Sequence, residues 1–115
     1  MVKSLVESLR KAVPMLIRSA PSTDDYLEGV LSRQDLQGCY ALLCDALGPP
    51  IKEFGKAAKF GSDTQRIVER IGGIRIDQCL FLKQEAGGQT IYASLWPWAS
   101  DPTRITLKTG VVELK

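Results

Sequence analysis

The sequence predicts an α+β chain in which four or five helices precede a three-stranded antiparallel β-meander. Apolar residues recur at helical spacing from Val2 to Ile71, whereas from Ile74 onward they alternate with a period of two. Glycines and prolines punctuate the chain where those patterns break.

Val2, Leu5, Val6, Leu9, Val13 and Leu16 line one face of a first amphipathic helix, with Lys3, Glu7, Arg10 and Lys11 between them, and Pro14 bends or ends it. In APSTDDYLEGVL, Pro21, a Ser or Thr cap and acidic first-turn residues introduce a second, short helix with Tyr26, Leu27, Val30 and Leu31 on one side. Ser32 and Asp35 form an S-x-x-D start for a third, which carries Leu36, Cys39, Tyr40, Leu43 and Leu47 and stops at Gly48 before two prolines. Pro50 opens a fourth helix, with Ile51, Phe54 and Ala58 as its stripe and Gly61 as its end. Ser62 and Gln65 match a capping box for a fifth, whose buried arc is Thr64, Ile67, Val68 and Ile71 and whose stop is Gly72-Gly73.

The strands follow. Ile74, Ile76, Leu80 and Leu82 alternate, as do Ile91, Ala93 and Leu95, and EAGG between them is a hairpin turn. Asp101-Pro102 marks a second turn, after which Ile105 and Leu107 alternate with Thr106 and Lys108. Gly110 then moves the apolar set to Val112 and Leu114, which suggests a bulge. At 115 residues the chain fits one domain, with N-terminal helices in 1–34, a middle part in 35–98 and a C-terminal strand in 99–115.

Composition restricts the chemistry. The chain has no histidine, which removes the commonest general base and every Ser-His or Cys-His nucleophile pair, so a non-enzymatic protein without cofactor or metal is expected. Cys39, Cys44 and Cys79 give neither a disulfide framework nor a zinc set; Cys39 and Cys79 read as small buried hydrophobes, leaving Cys44 as the one exposed thiol. GGIRI and EAGG lack the strand-before, helix-after context of a phosphate-binding loop. No apolar run reaches bilayer length and no secretory signal is evident, so a cytoplasmic protein with no membrane partner is expected. Net charge is +2, but its distribution is uneven: 1–49 carries −1, 77–115 is neutral and 50–76 carries +3.

That basic segment contains KAAKFGSDTQRIVERIGG, in which Ala57, Phe60, Gly61, Ile67 and Ile71 supply the small residue, turn glycine and inner aliphatics of a helix-turn-helix. With a helix upstream and a glycine-turned hairpin downstream, residues 35–98 resemble the winged helix-turn-helix family. The resemblance implies DNA as a partner, with Lys52, Lys56 and Lys59 on phosphates and Gln65, Arg66 and Arg70 near base edges. Taken without it, those side chains are a solvated face. The family has an apolar residue after the turn glycine where this chain has Ser62, and Asp63 and Glu69 stand among the outward residues.

A competing expectation rests on WPW. Trp96 and Trp98 fall on one side of a strand end, where they either cover the helical core or, exposed, form a partner-binding patch for a second copy or another protein. The sequence thus leaves two functions open, a nucleic-acid-binding regulator acting as a homodimer and a protein-interaction module.

Overall fold

The computed structural model describes residues 2–18 and 24–113, the side chain of Ala86 excepted. Helix α1 (Val2–Ala12) buries Leu5, Val6 and Leu9 and is followed, beyond Pro14, by a two-residue strand β1 (Leu16–Ile17). Strand β2 (Leu27–Ser32) passes through a 3-10 turn into helix α2 (Leu36–Leu47). An irregular stretch, 48–61, leads to helix α3 (Ser62–Arg70). Strands β3 (Cys79–Gln84), β4 (Gln89–Pro97) and β5 (Arg104–Glu113) complete the described chain.

All strands join one antiparallel sheet in the order β1-β2-β5-β4-β3. Strand β5 lies in the middle, paired with β2 from Arg104 to Thr109 and with β4 from Ile105 to Glu113. Helices α1 and α2 cover one face, where Leu5, Leu9, Cys39 and Leu43 pack with Leu27, Leu31, Phe81, Leu95, Ile105 and Leu107 in the main core. Helix α3 covers part of the other: Ile67, with partly buried Ile71, packs with Tyr92, Val112, Tyr26 and Leu82. Thr109, which has no access to solvent, is satisfied by donating its hydroxyl to the Tyr92 carbonyl at 2.6 Å.

The expected four or five helices and three-stranded meander are corrected, among the described residues, to three α-helices and a five-stranded sheet. The expected second helix is strand β2. Leu27, Val30 and Leu31 fit a helical arc, but as a strand they bury Leu27 and Leu31 under the helices and Val30 on the other side, while the backbone supplies the partner that the free edge of β5 requires. A Cβ at Gly29 would lie 2.5 Å from Met15 Sδ, so a side chain there requires Met15 to move. The suggested cap and Pro21 fall in 19–23, outside the described residues.

The fourth helix does not form. Beyond Gly48 the chain turns at Gly55, with φ of 72°, and Ile51 and Lys52 instead bond to Leu80 across the outer edge of β3. A helix this short is marginal in water, so edge pairing prevails. Without it there is no helix-turn-helix, and α3 lies on a sheet rather than against a partner helix. The winged-helix resemblance therefore does not describe this fold.

Strand β3 begins at Cys79, leaving Ile74 and Ile76 in the loop before it, with Ile76 60% exposed. No bulge interrupts β5, because its pairing with β4 runs without a break from Gln89 opposite Glu113 to Pro97 opposite Ile105. The apolar pattern changes there because β5 is covered on both faces: Ile105 and Leu107 enter the main core and Val112 meets α3's cluster. Gly110 is a packing requirement, since a Cβ would sit 3.0 Å from the Tyr26 ring and 3.2 Å from the Tyr92 hydroxyl. Leu114 is outside the described residues. Overpacking at this point should be costly: Gly110→Val is expected to lose about 1–3 kcal/mol in urea unfolding, and an unchanged midpoint would contradict the packing described.

Candidate functional site

Helix α3 covers only part of its face of the sheet. The uncovered part follows from strand register: Trp96, Thr106, Val30 and Leu16 lie side by side across four strands, and Ser94, Lys108 and Glu28 form the next row. Instead of a helix, aromatic rings and long cations cover these rows. Trp98 folds back so that its indole N–H donates to Thr106 Oγ1 at 2.7 Å. The guanidinium carbons of Arg104 and Arg18 lie 5.4 and 6.0 Å from the Trp98 ring centre, and Lys108 Nζ lies 4.5 Å from that of Trp96. Each contact is attractive through the ring quadrupole, and Lys108 also approaches Glu28 Oε1 at 4.0 Å.

Beside this layer is a cleft of about 780 Å³, lined on one side by Trp96, Trp98, Ser100 and Lys108. Its other wall is the loop after α3, with Gly72, Gly73, Arg75, Asp77 and Gln78. The volume lies in the range of ordinary ligand sites. Gly72 and Gly73 have φ of 97° and 88°, a conformation that side chains disfavour, and a Cβ on either would touch nothing within 4 Å, so this stretch of wall is bare backbone. Gln78 Oε1 accepts from the Arg75 N–H at 2.9 Å.

The loop wall is held from behind by Lys52, which is only 4% exposed. Its ammonium donates to the carbonyls of Glu53, Ile76 and Gln78 at 2.8, 2.7 and 2.7 Å, matching its three protons. Burial lowers its pKa from the ordinary lysine value, opposed by neighbouring Cys79, Asp77 and Glu53. The adjacent Glu53 ties the same segment to α2 and β3: Tyr40 donates to Oε2 at 2.7 Å and the Cys79 thiol approaches Oε1 at 3.8 Å. Tyr40 also meets Phe81 edge to face with ring centres 5.4 Å apart. Burial, then Glu53, pushes the Cys79 thiol up to about 12, and burial takes Cys39 to about 12. Neither is a nucleophile at neutral pH, and Cys44, half-buried, is also raised by burial.

The residues expected to meet nucleic acid are not brought together. Lys52 is enclosed by carbonyls. Lys56 lines a separate groove with Arg33, Tyr40 and Glu53, and Lys59 is exposed on the irregular stretch. Gln65 and Arg66 are exposed on α3, while Arg70 donates to the Glu113 carbonyl at 2.8 Å and so anchors α3 to the end of β5. Trp96 and Trp98 are together, but on the face opposite the main helical core rather than over it. The sequence reading missed Arg18, Arg75, Arg104 and Lys108 as their companions. A signal for Lys108 was available: folding β4 onto β5 about the Asp101-Pro102 turn sets Thr106 opposite Trp96 and Lys108 opposite Ser94.

Comparison with protein-family models, curated proteins and solved structures finds no match for this chain. Among the described residues no helix is long and apolar enough to cross a membrane.

Two outcomes follow. Lys52→Met removes a charge bonded to three carbonyls and should cost about 2–4 kcal/mol in urea unfolding; a loss below about 1 kcal/mol, as for a surface lysine, would contradict its role. At pH 8 a thiol of pKa near 12 is ionised to roughly one part in ten thousand. Cys39 and Cys79 should therefore react with a disulfide reagent only in denaturant, and rapid labelling of all three cysteines in the native protein would refute the burial described.

Proposed function

We propose that this chain binds single-stranded nucleic acid on the part of its sheet that α3 leaves uncovered, and acts as a binding protein without catalysis. The observation that carries the reading is one cleft lined by Trp96, Trp98, Arg75 and Lys108, with Arg18 and Arg104 stacked on the Trp98 ring. A single strand offers unpaired base faces and a regular anionic backbone, and proteins bind it by pairing aromatic stacking with cations along a groove. A duplex hides its base faces, and the arrangement of helices that would enter its major groove is absent here.

Protein docking is a second reading, favoured by Leu16, which is 61% exposed at the sheet edge in the same row as Trp96. Fluorescence titration separates the two. Tryptophan emission should be quenched by a short single strand at about 50 mM salt and weaken steeply towards about 200 mM. Trp96→Ala should cost roughly 1–3 kcal/mol of binding. Lys108→Gln should reduce the salt slope by about 1, whereas Arg66→Gln on α3 should leave binding unchanged. No quenching at low salt, together with concentration-dependent sedimentation abolished by Trp98→Ala, would select protein docking instead.

A further inference from the structure

Resting on that reading, we infer that Trp98 carries a phosphate-binding site: its ring is a platform for Arg18 and Arg104, which take phosphates of the strand, while Trp96 is the ring that stacks on a base. Strand register sets the two arginines on either side of Trp98. Its indole N–H donates to Thr106, and on this face of β5 Thr106 lies between Arg104 and Lys108. Arg18 belongs to the Lys108 row, because its backbone N–H donates to the carbonyl of Glu28, the residue that pairs with Lys108. The two guanidiniums thus reach the ring from opposite flanks, 5.4 and 6.0 Å from its centre, and a base finds no open face there on which to lie. Trp96 carries a single cation, Lys108, and keeps a face for a base in the cleft that it lines.

The platform is held in place by the hairpin between β4 and β5. The Trp98 backbone N–H donates to the Arg104 carbonyl at 3.0 Å, and the Asp101 N–H returns to the Trp98 carbonyl at 3.3 Å. Asp101 Oδ1 accepts from the backbone N–H and the hydroxyl of Thr103 at 3.1 and 2.6 Å. Its other oxygen lies 3.3 Å from Arg104 Nε, so it orients the inner side of that guanidinium and leaves the two terminal nitrogens to a ligand. Among the described residues no carboxylate pairs with Arg18. Two exposed guanidiniums positioned on one ring, only one of them partly neutralised, offer the forked donors that match phosphate oxygens.

The test uses the full chain and oligothymidine with or without a 5′-phosphate, following emission and salt slope. In Trp98→Phe the remaining Trp96 should be quenched by the strand as in the native protein, whereas in Trp96→Phe the emission of the remaining Trp98 should change little. Arg18→Gln and Arg104→Gln, both at exposed positions, should each lower the salt slope by about 1 and leave the quenching of Trp96 at saturation unchanged. In a Trp98→Leu background the same two substitutions should lose most of their effect, and in Trp98→Phe, which keeps a ring face, they should retain it. Slope changes seen only with the phosphorylated strand assign the site to a terminal phosphate, and changes seen with both strands assign it to the backbone; either outcome supports a phosphate site at Trp98. Equal quenching of the two tryptophans, slopes that neither arginine substitution moves, or arginine effects that persist undiminished in Trp98→Leu would each overturn this inference while strand binding stands. Failure of every strand to bind at low salt overturns both.

Discussion

A buried ammonium holds the working part of this fold in place. Lys52 bonds the carbonyls of Ile76 and Gln78, and thereby fixes the loop that faces Trp96 and Trp98 across the cleft. Its own backbone pairs with Leu80, so the same residue covers the outer edge of β3. A cation out of water is tolerated only when its protons are all satisfied, and the geometry that satisfies them is the geometry of the wall. Glu53 extends the restraint to α2 through Tyr40.

The second determinant is the position of β5. Because the last strand enters the middle of the sheet, between β2 and β4, the sheet acquires two faces that both need covering. Helices α1 and α2 take one, and α3, anchored by Arg70 to Glu113, takes part of the other. What remains is covered by tryptophan rings with cations stacked on them. Such a layer shields the sheet backbone while keeping polarisable ring surface and charge next to solvent, and that combination separates this patch from an ordinary core.

Much of the helical framework was legible in the sequence. The α1 stripe ending near Pro14 and the α2 run from Leu36 to the Gly48 stop are local signals that survive folding, whereas α3 begins where expected but without the Ser62–Gln65 capping box, since its N-cap is Gly61 and no side chain caps it. The failures came where long-range pairing overrode a local pattern. Leu27, Val30 and Leu31 fit helix and strand alike, and only pairing with β5 decides between them. Ile51 to Ala58 has a helical stripe, yet Lys52 finds its partners 24 and 26 residues away. The candidate site was half legible: Trp96 and Trp98 stood out, but Arg18 reaches them only through β1 and β2, an association that no spacing in the sequence encodes.

The central claim is that the uncovered part of the sheet, and not the outer surface of α3, receives the ligand. A two-dimensional amide NMR titration of the protein with a short single-stranded oligonucleotide tests it most directly. The account predicts shifts concentrated on the indole N–H signals of Trp96 and Trp98 and on the amides of 72–78, Trp96 and 98–100, with α1 and the outward residues of α3 unmoved. Shifts centred on Lys56, Lys59, Gln65 and Arg66, with both indole signals stationary, would contradict it.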